Sequence, residues 1–204
     1  MINNPVKFFE QPNIIRQREL NNRNFSIISS NCVAGLIYHE LNQRFLSPTI
    51  NLDIQPHDFL KLVTNLRYYL TEAELVEISN SGYPYPVGQL GAGTQAIRLF
   101  FIHYADFQTA KLKWQERSQR VNYNNLYFIL ADCDGTSLAD LQRFDQLTNS
   151  HKVILTGQPY PEIDSAFCIT NCNDQGRLAD WYLSDNYLGK RKFEQFNYVD
   201  FLNQ

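Results

Sequence analysis

Two short runs, NLYFILA (125–131) and KVILTG (152–157), are apolar almost throughout and are separated by the helical stretch TSLADLQRFDQL (136–147). A strand with no polar face must be covered on both sides, which is the environment of a parallel sheet flanked by helices. The same alternation runs through the chain. FSIIS (25–29) precedes VAGLIYHELNQ (33–43), whose Val33, Leu36, Ile37 and Leu41 share one helical face. SPTINLDI (47–54) reads as a strand before PHDFLKLVTNLRYYL (56–70), a helix opened by Pro56 with Asp58 in its first turn. ELVEIS (74–79), AIRLFFIHY (96–104) and SAFCIT (165–170) read as further strands, and DFQTAKLKWQERSQR (106–120) as a helix.

This pattern predicts one α/β domain over residues 1–204, Rossmann-like and three-layered, with a mixed, mostly parallel sheet. Residues 1–23 form a polar lead, and the aromatic tail 190–204 is expected to dock on the body. NSGYPYPVGQLGAGT (80–94) is rich in turn residues and reads as a mobile loop, with 82–93 as a lid.

Composition narrows the function classes. With 204 residues, 44% hydrophobic and 19% charged, the chain can bury a proper core and is not globally disordered. A net charge of −3 argues against general binding to nucleic acid. No stretch is apolar and long enough for a signal peptide or membrane span, so a cytoplasmic protein with reduced thiols is expected. The four cysteines lack paired metal-ligand spacing; CITNC (168–172) has no His or Cys partner pair nearby. No metal site is expected, and the sequence names neither a cofactor nor an oligomeric state.

The chemistry centres on SSNCVAGLIYHE (29–40). If Asn31 caps the helix, Cys32 occupies its first position, at the carboxyl end of a strand where α/β sheets usually bind ligands. A thiolate there is stabilised by the unpaired N–H groups of the helix tip. Of the four histidines, His103 ends the strand 96–104 and can face the same sheet edge, whereas His39 lies on the same helix as Cys32 two turns further on and His57 and His151 sit at element starts. Cys32 as nucleophile with His103 as base is the sharp reading, and a small, packed, unreactive cysteine is the plain one. Lys113, Arg117 and Arg120 share a helical face beside Trp114, which suits either an anionic donor or a solvated charged surface. YFILADCDGT (127–136) resembles the first motif of haloacid-dehalogenase phosphatases, with Asp132 as nucleophile, Asp134 as acid–base and Thr156 as the phosphate-binding hydroxyl. Its position late in the chain, without a cap insertion, departs from that family. A metal–diphosphate clamp, or a plain turn and helix cap, are the other uses of such aspartates.

The segments FSIISSNCVAGLIYHELNQRFLSPTINL, DFLKLVTNLRYYL, YPVGQL, FIHYADFQTAKLKWQERSQRVNYNNLYFIL and FNYVDFLN together resemble a bacterial family of unknown activity, domain of unknown function family 1919, usually labelled as exopolysaccharide-biosynthesis proteins. Asn31, Cys32, Tyr38, Ser47, Pro48, His103, Tyr104, Trp114, Arg117 and Arg120 match its pattern; Val33 stands where a bulkier residue is usual. A weaker similarity is to capsule-associated proteins proposed as cysteine hydrolases. The resemblance implies a role in cell-surface polysaccharide biosynthesis. The function expected is transfer of an acyl or glycosyl group from an activated-sugar or acyl donor. Cys32 and His103 would be catalytic, and Asn31, Tyr38, Ser47, Tyr104, Trp114, Arg117 and Arg120 substrate-binding. The alternative is a non-catalytic sugar- or partner-binding protein of the same machinery.

Overall fold

The computed structural model describes residues 12–133, 135–184 and 190–204. In chain order the longer elements are α1 (Pro12–Glu19), β1 (Ser26–Ser29), α2 (Val33–Glu40), α3 (Pro56–Thr64), α4 (Leu66–Thr71), β2 (Leu75–Glu77), β3 (Val87–Leu90) and β4 (Ile97–Phe100). They continue with α5 (Phe107–Ser118), β5 (Leu126–Ala131), α6 (Leu138–Asp145), β6 (Lys152–Thr156), β7 (Ala166–Cys168), β8 (Asn173–Asp174), β9 (Arg177–Leu178) and α7 (Tyr198–Leu202).

Four strands form a parallel sheet in the order β1-β5-β6-β7. Side chains of a strand alternate between faces, and here both faces are buried. Ile27, Tyr127, Ile129, Val153 and Leu155 pack with Val33, Ile37 and Tyr38 of α2 and with Phe193, Tyr198 and Phe201 of the tail. Ile28, Phe128, Leu130 and Ile154 pack on the other side with Phe59 and Leu62 of α3, Leu141 and Phe144 of α6, and the second sheet. That explains why these strands carry no polar face.

The second sheet is antiparallel, in the order β2-β3-β4. The class is α/β as expected, but the parallel and antiparallel pairings lie in separate sheets instead of one mixed sheet. A short segment joins them: Asp53 exchanges backbone hydrogen bonds with Phe100, and Ile54 N–H donates to the carbonyl of Ser30, just past β1.

Three expectations are revised. Residues 47–54 form no strand beyond that single bridge, because Asn51 adopts a left-handed backbone (φ 64°) and Ser47 and Thr49 bond each other. The helix expected over 56–70 is divided at Asn65, whose ψ of 47° leaves the helical region. The stretch read as a lid contains β3, the central strand of the antiparallel sheet. Val87 and Leu90 are buried, and Gly88 is there because a Cβ would stand 2.7 Å from Leu75 Cδ1.

Ser137 and Asp140 form a reciprocal capping box on α6, and Asp106 caps α5 through Thr109 N–H at 2.7 Å. The tail docks, with Phe193, Phe196, Tyr198 and Phe201 buried. Among the described residues, no helix is long and apolar enough to cross a membrane.

Candidate functional site

The carboxyl ends of β1 and β5 lie side by side, and the chain leaving each delivers a cysteine to the same place. Cys32 follows β1, Cys133 follows β5, and both line a cavity of about 620 Å³ together with Asn31, Leu36, Asp53, Ile102, His103, Trp181, Tyr182 and Arg191. The bridge between Asp53 and Phe100 brings the two sheets together here, so Asp53 and the chain after β4 face β1 across the opening. His103 is exposed at the rim, and Cys32 is half-buried. Cys32 and His103, 71 positions apart in sequence, thus share one cavity.

Cys32 itself is the N-cap of α2, one position earlier than the sequence suggests. Asn31 precedes it, and its Oδ1 accepts from Val33 N–H at 3.1 Å, leaving its Nδ2 as a donor. The Cys32 thiol donates to the carbonyl of Leu52 at 3.8 Å. Burial, and then the negative charge of Asp53, push this thiol up to about 12. The lowered pKa expected of a helix-tip cysteine is therefore not what this environment produces: desolvation and a neighbouring carboxylate outweigh the helix end. Asp53 is also pushed up, to about 6, by burial, partly offset by Ile54 N–H.

Most other candidate residues lie elsewhere. Tyr38 is fully buried, stacked on Phe25 at 5.2 Å, with its hydroxyl donating to Phe25 O and accepting from Ile27 N–H. Ser47 is buried and bonded to Thr49. Trp114 is buried with the α3–antiparallel-sheet core. Tyr104 donates to Ile50 O at 3.2 Å and accepts from Arg117 Nη1 at 2.8 Å; Arg117 also lies over the Phe45 ring. Arg120 pairs with Glu116 and reaches Phe45 O. The structure uses these groups to hold loop 44–52 against α5, and none of them lines the Cys32 cavity.

The aspartate motif is likewise occupied. Asp132 is fully buried, paired with Arg177 at 2.7 Å and accepting from Tyr160 Oη at 3.1 Å. Burial raises its pKa while Arg177 and Tyr160 oppose the rise. A carboxylate held this way pins β9 and residue 160 to the end of β5. Asp134 lies outside the described residues. Thr156 is buried, its hydroxyl directed to Phe167 O. Among the described residues, no group of three His, Cys, Asp or Glu side chains is arranged to hold a metal ion.

Sequence reasoning missed Asp53, Cys133, Trp181, Tyr182 and Arg191. Arg191 has a second task, pairing at 3.1 Å with Glu40, which also accepts from Tyr198 Oη at 2.6 Å and pairs with Arg16 at 3.5 Å. Arg16 pairs in turn with Glu194 at 2.5 Å. This buried charge network ties α1, α2 and the tail together behind the cavity.

The fold and site define an α/β protein with a thiol, a carboxylate and an imidazole on one cavity at the carboxyl edge of a parallel sheet. The chain belongs to the family described as domain of unknown function (DUF1919), whose pattern matches residues 4–203. It is also similar to an uncharacterized protein of Haemophilus influenzae strain Rd, with 37% identity over 203 residues, covering 99% of this chain and 94% of that protein.

Proposed function

We propose that the protein is an acyltransferase of cell-surface polysaccharide biosynthesis, working through the Cys32 cavity. The observation that carries the chemistry is the convergence of Cys32, Asp53 and His103 on one cavity of about 620 Å³. The polysaccharide setting is supported by the resemblance of the sequence segments described above. In the same reading, residues 1–204 make one domain on a Rossmann-like core, and the compartment is cytoplasmic.

The thiol is protonated at rest, so the mechanism is general-base rather than thiolate catalysis. A serine nucleophile faces the same mismatch with its histidine, and proton transfer there accompanies attack. Here Asp53, titrating at about 6, takes the thiol proton as sulfur attacks the donor carbonyl; a base poised near neutral pH suits this task. Asn31 Nδ2 donates to the developing oxyanion. The carbonyl–leaving-group bond breaks, His103 protonates the leaving group, and a thioester remains on Cys32. An acceptor hydroxyl then attacks the thioester, its proton passes to the His103 base, and Asp53 returns its proton to the departing sulfur.

The test uses p-nitrophenyl acetate as donor and peptide-resolved mass spectrometry. An acetyl group on Cys32, with its formation slowed about 10²–10⁴-fold in Asp53→Asn, is expected. Acetylation spread over surface residues and unchanged in Cys32→Ser contradicts the reading. That second outcome favours a binding protein, the alternative that the protonated thiol and the Trp181–Tyr182 pair support.

A further inference from the structure

The Cys32 cavity does not end at Asp53. It shares Asp53 and Cys133 with a second cavity of about 350 Å³. That one shares Gln55 with a third, of about 590 Å³, lined by Asp58, Tyr83, Gln89, Arg98 and Phe100. Chain geometry explains the continuity. Asp53 and Gln55 lie on one segment, which bridges to Phe100, two residues before Ile102 of the Cys32 cavity. The three cavities therefore adjoin one another along the junction of the two sheets.

At its far end, the Tyr83 ring stacks on Tyr85 at 5.4 Å and meets Phe100 edge-on at 5.2 Å, yet Tyr83 remains 50% exposed. An aromatic ring pinned by two others loses little further freedom when a ligand covers its open part. Around it stand planar polar groups: the amides of Gln55 and Gln89, the carboxylate of Asp58 and the guanidinium of Arg98. Among the described residues the Arg98 guanidinium has no hydrogen-bond or ion-pair partner.

Two ligand classes fit an extended groove, and the backbone decides between them. A peptide would add to the open edge of β4, using main-chain amides. Those amides are taken: Arg98 N–H donates to Asp58 Oδ2 at 2.8 Å and Phe100 N–H to Asp53 O at 2.9 Å. What remains is an aromatic face beside planar groups that bridge vicinal hydroxyls, with the carboxylates of Asp53, Asp58 and Asp174 matched in number by the guanidinium groups of Arg98, Arg177 and Arg191, a balance that favours neither an anionic nor a cationic chain. We propose that the groove binds a neutral oligosaccharide, with a pyranose ring seated on Tyr83 between Asp58 and Arg98. Resting on the acyl-transfer reading, a hydroxyl of a neighbouring unit is then the acceptor presented to Cys32.

The test titrates the ¹⁵N-labelled full chain with cellotetraose, maltotetraose and chitotetraose. At least one shifts the Tyr83 and Arg98 amides and shows saturation transfer from the protein to its ring protons. Tyr83→Ala weakens that binding on the order of tenfold, as loss of a stacked ring does elsewhere, while Tyr83→Phe keeps it within about twofold because the stacking face is preserved. Glycan binding without Cys32 acetylation would sink acyl transfer and keep the groove. Acetylation of Cys32 with no shift from any of the three sugars overturns the groove proposal. So does a tryptic digest of reduced casein that shifts these amides where the sugars do not.

Discussion

The Cys32 thiol offers a quantitative test, because two opposing effects can be weighed. Its environment moves it from an ordinary 9.0 to about 12. At pH 8 the thiolate population falls from about one in ten to about one in ten thousand, a thousandfold loss. The more basic thiolate is intrinsically the better nucleophile. With a Brønsted slope of about 0.4–0.5, that returns about twentyfold in thiol–disulfide exchange. Population wins, and Cys32 should react with Ellman's reagent at pH 8 about 50-fold more slowly than a small-molecule thiol. Peptide-resolved mass spectrometry separates it from the other cysteines. Asp53→Asn removes the second cause of the rise and should speed the reaction, while burial, the first cause, persists. A wild-type rate equal to or above that of the reference thiol would refute the account of this environment.

Asp53 also links stability to pH. Its carboxyl goes from 3.8 to about 6 on folding, so between those values the native state holds a proton that the unfolded chain has released. Stability therefore falls as pH rises through that window, by no more than about 3 kcal/mol at pH 7. Asp53→Asn should flatten this dependence in urea unfolding from pH 4 to 7; an unchanged slope speaks against the burial of the charge. Glu40→Ala leaves the buried Tyr198 hydroxyl without its acceptor, while Arg16 keeps Glu194, and should cost about 1–3 kcal/mol by the same assay, whereas a loss under about 0.5 kcal/mol would mean the network is dispensable. Gly157→Ala would place a Cβ 2.5 Å from Arg177 O and 2.8 Å from Cys172 O, both backbone. It should destabilise by about 2 kcal/mol or more, and a neutral effect would show that the β8–β9 hairpin moves freely.

Apolar strands are legible in sequence because a face buried on each side leaves no polar positions. The run 126–131 therefore announced its place, and the starts of α3 and α6 followed from Pro56 and Ser137. Val87–Leu90 was hidden by the prolines before it and the glycines around it, since nothing local reveals that Gly88 makes room for Leu75. Cys32 and His103 stood out as residue types at strand ends. Their shared cavity depends on the Asp53–Phe100 bridge, a contact between backbones that leaves no mark in the side chains. For the same reason Asp53 read as one more residue of an expected strand. Tyr38 and Ser47 were singled out by resemblance alone, Trp114 also by the basic face beside it, and neither signal separates a packed residue from a ligand contact. The rise of the Cys32 thiol was illegible because it depends on burial in the folded chain and on Asp53, 21 residues away.

The pH–rate profile of Cys32 acetylation by p-nitrophenyl acetate bears most directly on the site. With Asp53 as the base, the rate should climb to an inflection near pH 6, flatten above it, and lose that inflection in Asp53→Asn. A rate that keeps rising tenfold per pH unit through pH 9 would mean that a preformed thiolate does the work, and the roles given to Asp53 and its cavity would not stand.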